Sequence, residues 1–496
     1  MKKIIALLLA CVMVLGLFAA CGDGKPADTT NGTPDTTSGS NTPDTTTGGT
    51  DEVVELTWYM VGNGTPVNYD SWKQKVDAYL EEKINVHLNI ECVGWDAWGE
   101  RRSVVVSTNG DYDLMFTDMG SYATDVAMGA FADITDLMAE VPGLTELIPQ
   151  NYLDACKIGG KLYAIPAYKD SSMTNFFVWT KEHVDAYYPE YADGHKLADL
   201  TEGLRALKEG TGTAPILLNQ DGISCITGNK YDAATLGNCG IGIAYNNGTE
   251  FVPVFEQADV IADLTLLHQW FNEGLINADA ATLPKAEGMC SMGVAQGWPG
   301  AAKGWGAGRG AEVVVSQYED TVVSSDTVMG SLTCINANSE HKLEALKLLE
   351  LVNTDTKLRD MLWFGEEGVN FDYVEENGVQ KVEKHNNDWA LAAYTQGTFF
   401  VATPEKGTDG FGEVRTQNEN AISSPAFGFI PDRTEIGDKL DELSSIFSEY
   451  KAQIYTGTAD PTEVLPEMME AMRDAGFDEV LTEVNRQFAE WKAVNG

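Results

Sequence analysis

Eleven tryptophans are scattered along this chain of 496 residues, and many stand beside Gly, Pro or Asp instead of inside periodic apolar stripes. "GWDAW" (Trp95, Trp98), "QGWPG" (Trp298), "KGWGAG" (Trp305), "LWFGEEG" (Trp363) and "NDW" (Trp389) are the clearest cases. A flat apolar ring in a loop stacks on the apolar face of a pyranose, while neighbouring Asp, Asn and Glu accept hydroxyls; both features suit a neutral sugar held in a groove. Any one Trp is more often packing than binding, so the set informs more than its members.

Other chemistry is thinly represented. The six histidines, His87, His183, His195, His268, His341 and His385, are dispersed, and no two share helical metal-ligand spacing. No G-x-S-x-G, P-loop or G-x-G-x-x-G occurs. "GIGIAYNNG" (Gly240 to Gly248) lacks a third glycine and reads as a strand and turn. Acidic residues are so abundant that pairs of them carry little meaning; the carboxylates of "GEE" (Gly365 to Glu367) read as a solvated turn or a polar ligand contact before they read as a glycosidase acid. No catalytic residue, metal site or cofactor is assigned. A formal charge of −42, from 75 acidic and 33 basic residues, makes nucleic acid and anionic membrane surfaces poor partners.

The elements that must carry these loops are legible in part. "VVELTWYMVG" (Val53 to Gly62) alternates apolar and polar residues and ends in glycine, a strand opening into a loop. Val76, Tyr79, Leu80 and Ile84 follow at helical spacing, and Val86, Leu88, Ile90 and Cys92 alternate as a second strand. "YDLMFTD" (Tyr112 to Asp118) is a short buried strand. This β-α-β order argues for a mainly parallel sheet. "GGKLYAIPAYKD" reads as a turn, a strand and a break at Pro166. "PEMMEAMRDAGF" (Pro466 to Phe477) is a helix stopped by a left-handed Gly476, with Met472 and Phe477 in contact across the cap.

The N-terminal stretch has a different logic. Lys2 and Lys3 precede an almost wholly apolar run from Ile4 to Ala20, the layout of a secretory signal. Leu17-Phe18-Ala19-Ala20-Cys21 resembles the lipobox of bacterial lipoproteins, in which the cysteine is acylated and becomes the new N-terminus; Phe18 departs from the Leu that family prefers. Residues 22–51 are Thr, Asp, Gly, Pro, Ser and Asn with little else, too polar to offset their chain entropy, so a disordered tether reaching roughly 30 Å is expected. Six further cysteines remain after the signal, none in C-x-x-C spacing; Cys225 and Cys239 either close a short loop as a disulfide or stay free.

Several longer segments resemble the extracellular solute-binding proteins of bacterial ABC importers, in the large sugar-binding group. "DLMFTD" followed by "GAFADITDLM" (Gly129 to Met138) is similar to that group's strand, loop and helix, and "GGKLYAIP" to its G-K-x-Y-A-I-P segment. "MGSLTCINANSEHKLEALKLLELVNTD" (Met329 to Asp355) resembles its returning strand and helix. "WFGEEGVNFDY" resembles a G-x-E-G-x-x-Y segment, with Asn370-Phe371 in place of the commoner His-Tyr. "FGFIPD" and "AGFDEVLTEVNRQFAEW" resemble the C-terminal region of one lipoprotein subgroup. The resemblance runs from Val53 to Trp491.

It implies an α/β, two-lobe, periplasmic-binding-protein-like fold with mainly parallel sheets flanked by helices and a hinge between the lobes. Residues 1–20 are then the signal peptide, 21–52 the tether, 53–166 plus about 332–400 the first lobe, and 167–331 plus about 401–496 the second. The crossings fall near Pro166, near Met329 and after roughly residue 400. The implied activity is capture of a sugar or oligosaccharide between the lobes and its delivery, unaltered, to ABC permease subunits. The chain is then a monomer held to the extracellular face of the cell membrane through lipid on Cys21. The residues expected at the ligand are Asn63, Trp95, Asp118 and Tyr122 from the first lobe, Tyr168 and Lys169 at the crossing, Trp298 as the principal stacking ring of the second lobe, and Trp363 and Glu366 from a later loop. The rival readings are an exported glycoside-active enzyme, a binding protein for peptides or another polar solute, and an adhesion or scaffold lipoprotein.

Overall fold

The computed structural model of the protein describes residues 52–108 and 110–495, all within one compact unit, Asp51–Gly496. The expected signal peptide, the acylated Cys21 and the tether up to residue 51 lie outside the described residues.

Leu56, Trp58 and Met60 alternate into the interior from the strand Val54–Gly62, as the sequence pattern requires. The strand pairs in parallel along its length with Val86–Gly94, from Val54 opposite Val86 to Gly62 opposite Gly94. The outer strand is an edge, and its free N–H groups need acceptors. The helix Tyr69–Ile84 supplies them: Leu88 N donates to Asp77 Oδ1 at 2.9 Å and Ile90 N to Tyr69 Oη at 2.7 Å. Trp72, Val76 and Leu80 bury the helix's inner stripe, and Asn85, at φ 56°, ends it in the left-handed conformation.

The first sheet runs Val86–Gly94, Val54–Gly62, Leu114–Thr117, Leu332–Ile335, Ala164–Pro166. Its core draws on residues 56–168, on 323–362 and on Leu391. The second sheet runs Met292–Gln296, Met173–Thr180, Val313–Val323, Ile422–Ser423. A separate core, from residues 177–318 and 426–488, fills the space between it and its helices. The last three helices, Gly437–Tyr455, Pro461–Asp474 and Phe477–Asn495, contribute Leu443, Phe447, Met468, Met472, Val484 and Phe488 to that core. Gly476 stops the second of them at φ 98°, with Met472 and Phe477 fully buried beside it.

The α/β fold with two lobes is the observed one, but the expectation of mainly parallel sheets needs correction. Only the first three strands of the first sheet are parallel neighbours; Leu332–Ile335 is antiparallel to both strands it touches. In the second sheet, Met173–Thr180 is antiparallel to both neighbours, and only Val313–Val323 with Ile422–Ser423 is parallel. The apolar runs of Met173–Thr180 and Leu332–Ile335 say that those strands are buried on both faces, not which way the chain travels when it returns from the other lobe.

The chain passes between the two cores three times, and the passages are tied together. Ser424 N donates to Val323 O at 2.8 Å, joining the third passage to the second. Behind them lies Asp232, 1% exposed, whose Oδ1 accepts from Ala234 N at 2.9 Å, while Asp326 Oδ1 accepts from Thr235 N at 2.7 Å. These two carboxylates hold a turn in which Ala234 (φ 45°) and Thr235 (φ 65°) are both left-handed, a conformation side chains normally avoid. Burial, and for Asp326 also the neighbouring charge of Asp232, push both carboxyl pKa values up.

Candidate functional site

Gly62 ends the first strand where a second segment crosses it: a Cβ there would lie 2.7 Å from Ala390 O and 2.8 Å from Cys92 Sγ. Asn63 N then donates to Ala390 O at 2.8 Å, leaving the Asn63 side chain exposed at the carboxyl end of the strand. This close approach brings the stretch after residue 390 to the mouth of the first lobe. Its Tyr394 lies face to face with Trp95, the first residue of the helix Trp95–Ser107, with ring centres 6.0 Å apart and planes 7° from parallel. Both rings stay open to solvent, Trp95 at 47% and Tyr394 at 42%. Phe116, from the strand Leu114–Thr117, supports Trp95 edge-on at 6.4 Å.

Polar groups surround this pair. Lys169 Nζ lies 5.9 Å from the centre of the Tyr394 ring and pairs with Asp170 Oδ1 at 2.6 Å. Partial burial, then the Asp170 charge, raises the Tyr394 phenol pKa. Asp118 caps the helix Met119–Ala127, accepting from Gly120 N at 3.0 Å, and remains half-buried.

What fixes Tyr394 is a buried arginine. Arg359 is 0% exposed and donates to four oxygens of one loop: Ala393 O (2.8 Å), Gln396 Oε1 (3.1 Å), Gly397 O (3.4 Å) and Thr398 O (2.7 Å). Burial draws its pKa down to about 9, and its guanidinium lies 4.7 Å from the centre of the Trp363 ring. Trp363 also packs on Phe399 at 4.9 Å and Phe411 at 5.4 Å, and Trp298 reaches the same cluster through Phe411 at 6.0 Å.

Phe411 precedes the helix Gly412–Asn420, which acts as a strut. Glu413 Oε2 accepts from Gly300 N at 2.8 Å and Gln417 Nε2 donates to Gly297 O at 3.2 Å, fixing the turn that carries Trp298. Asn418 Nδ2 donates to Lys169 O at 2.6 Å, and its Oδ1 accepts from Ser172 N and Oγ at 3.0 and 2.8 Å, fixing the first crossing. Tyr168 lies buried behind that crossing, edge-on to Tyr152 at 5.7 Å and Phe400 at 4.7 Å.

The expected site residues therefore divide. Asn63, Trp95, Asp118 and Lys169 keep accessible surface, and Trp298 is half-buried with its ring against Phe411. Tyr168 and Trp363 serve as supports, with their rings occupied by neighbours.

Two assignments are corrected. Tyr122 is 1% exposed and donates to Cys156 O at 2.7 Å; the face of its short helix that carries Tyr122 and Asp125 turns inward, so it belongs to the core. Glu366 is 6% exposed, accepts from Ser71 Oγ at 2.6 Å and Asn68 Nδ2 at 3.3 Å, and pairs with Lys75 at 2.8 Å. Burial alone would raise its pKa; the bonds from Lys75, Ser71 and Asn68 outweigh that and hold it below the usual range. Its role is to clasp its loop to the helix Tyr69–Ile84.

Other loop tryptophans are packing residues: Trp98 is buried, Trp389 lies 5.1 Å from Trp72 and donates to Leu362 O, and Trp305 packs toward Phe176. Tyr394, Asp170 and Phe411 escaped the sequence reading. "AAYTQGTFF" has the same aromatic-in-loop character as the tryptophan segments, and that signal was available for Tyr394. Cys92, Cys156, Cys225, Cys239, Cys290 and Cys334 are all free thiols, so Cys225 and Cys239 are unpaired. Among the described residues, no helix is long and apolar enough to cross a membrane.

A family model described as bacterial extracellular solute-binding protein matches residues 74–365, and one described as a domain of unknown function (DUF3502) matches residues 425–493. A Streptococcus pneumoniae serotype 4 protein named as a carbohydrate ABC transporter substrate-binding protein is 24% identical over 451 residues, which cover 88% of this chain and 90% of that protein. Among solved structures, the N-glycan transport solute binding protein NgtS from Streptococcus pneumoniae aligns at a TM-score of 0.78 and 22% identity, over 88% of this chain and 98% of that one. Its complex with Man1GlcNAc aligns at 0.72, also at 22% identity and over 88% and 99% of the two chains. An HMO binding, ABC-transporter associated solute binding protein from Bifidobacterium longum infantis aligns at 0.63 and 15% identity, over 88% and 99%. At these identities the structural likenesses establish the fold.

Proposed function

This chain belongs to the bacterial extracellular solute-binding proteins, and from that premise we propose that it captures an oligosaccharide between its two lobes and hands it intact to an ABC permease. The observation that carries the reading is the Trp95–Tyr394 pair. Two stacked rings with nearly parallel planes, each nearly half exposed, stand beside the charged pair Lys169–Asp170. An apolar platform with a small number of polar groups around it is the surface a pyranose fits, with its C–H face on the rings and its hydroxyls on the rim. Asn63, Asp118 and Trp298 extend that rim. The relatives, a carbohydrate ABC transporter substrate-binding protein and an N-glycan transport solute binding protein solved with Man1GlcNAc, point the same way.

In this mechanism the two cores are the rigid halves and the three tied passages are the hinge. Sugar touches both halves only when they close, so binding shifts the population toward the closed form, and that form docks on the permease. No bond is made or broken. The protein works as a monomer on the extracellular face of the cell membrane, anchored by lipid on Cys21, with residues 22–52 as tether.

Titration calorimetry against a panel of neutral and acidic oligosaccharides tests the reading. At least one should bind, and Trp95→Ala should weaken it by about tenfold, the worth of one good stacked ring. If none binds while a peptide panel does, the ligand class is wrong; if the bound sugar is recovered cleaved, the protein is an enzyme.

A further inference from the structure

Arg415 is anomalous among the nine arginines of the described chain. Arg102, Arg205, Arg473 and Arg486 pair with carboxylates. Arg309, Arg359 and Arg433 donate to backbone carbonyls, and Arg101 to the Tyr59 hydroxyl. Arg415 is the one whose guanidinium N–H groups meet no acceptor among the described residues, in a chain where acidic residues outnumber basic ones by more than two to one. Glu419, one turn further along the same exposed face, forms no ion pair with it, and Glu413 is occupied by Gly300 N.

The residue is nevertheless held in place. Its guanidinium lies 4.4 Å from the centre of the Phe400 ring, and Phe400 packs on Tyr168. The helix that carries it is fixed at both ends, by Glu413 and Gln417 to the Trp298 turn and by Asn418 to Lys169 and Ser172. A guanidinium laid on a ring loses little freedom on meeting a ligand, and its planar fork matches two adjacent oxygen atoms. An immobilised, exposed cation with unfilled donors, beside the crossing that carries Lys169, is arranged to be completed by something outside the chain.

We infer that Arg415 is a ligand-contacting residue that fixes the orientation of the sugar, donating two parallel hydrogen bonds to a pair of adjacent oxygens, either vicinal hydroxyls or the carboxylate of a uronic acid. The inference rests on the proposed function, and it adds a polar clamp from the second lobe's strut to the aromatic platform of the first.

The test uses the full-length protein and oligosaccharides of two to six units, matched as neutral and uronic-acid-bearing pairs. Sugars that raise the wild-type melting temperature are carried to calorimetry with Arg415→Gln and Arg415→Lys. Arg415→Gln should weaken binding at least tenfold while leaving the ligand-free melting temperature unchanged. Arg415→Lys should recover only part of the loss, because it restores the charge without the fork. A loss several-fold larger for the uronic-acid member, and steeper at low salt, identifies a carboxylate as the partner; equal losses identify a diol. Wild-type affinity in both variants would overturn the inference while the functional reading stands. Failure of the wild type to bind any sugar of the panel would overturn both.

Discussion

Two aromatic clusters of nearly the same composition sit in this protein, and they do opposite things. Trp363, Phe399 and Phe411 close on one another and on Arg359, so their faces are filled by the chain itself. Trp95 and Tyr394 share one pair of faces and leave the rest open. The difference lies in what stands behind each ring. One loop serves both clusters: pinned across the end of a strand at Gly62 and folded back on Arg359, it turns Phe399 into the filled cluster and leaves Tyr394 facing outward. Aromatic residues among glycines thus mark places where the chain turns, and the turn decides whether the ring is structure or surface.

The comparison breaks first at Arg359. Replacing it with Met removes four hydrogen bonds and leaves three loop oxygens, of Gln396, Gly397 and Thr398, without donors, which should cost about 3 kcal/mol or more in denaturant unfolding, and release of Tyr394 should lower sugar affinity as well. A stable variant with full affinity would show that the loop does not depend on its arginine. Trp363→Ala should come next, at about 2 kcal/mol of stability for a half-buried ring. Trp95→Ala should do the reverse, losing about 1.4 kcal/mol of binding with stability changed by under about 0.5 kcal/mol. Similar stability losses in the two variants would erase the distinction between the clusters.

The passage between the lobes offers a control that touches neither cluster. Asp326 has a folded-state pKa raised above the ordinary 3.8, by burial and then by Asp232. The native state therefore holds more protons than the unfolded chain over the interval between the two values, and stability falls as pH rises through it. Asp326→Asn keeps an oxygen for Thr235 N and removes the charge, so it should flatten that slope and stabilise the protein by at least about 1 kcal/mol at neutral pH, read as melting temperature against pH. An unchanged slope would place the titration elsewhere. The smallest effect belongs to Tyr122→Phe: about 1 kcal/mol or less from the unpaired Cys156 carbonyl, with sugar affinity intact. Lost affinity would return Tyr122 to the site.

Much of the fold was legible in advance because burial leaves a period in the sequence. The alternation of Leu56, Trp58 and Met60, the spacing of Val76 and Leu80, and the glycine stop at Gly476 each follow from local geometry. Strand direction was not legible, since the runs in Met173–Thr180 and Val313–Val323 look alike whichever way they are laid. The placement of the expected site residues divided in the same manner. Asn63, Trp95 and Asp118 follow strand ends, and a strand end can be located from pattern alone. Tyr122 and Glu366 failed because their partners, Cys156 and the group Asn68, Ser71 and Lys75, lie 34 and about 300 residues away along the chain.

Composition, period and spacing by themselves determined that the chain is acidic, that strands and helices alternate around apolar interiors, and that aromatic rings cluster in its turns. The tertiary structure alone decided which of those rings are filled and which are free, because that depends on close approaches between distant segments: Ala390 over Gly62, the loop after Ala392 around Arg359, and the strut Gly412–Asn420 across Lys169. Local pattern records how a residue sits in its own element; it holds no record of what arrives on the other side.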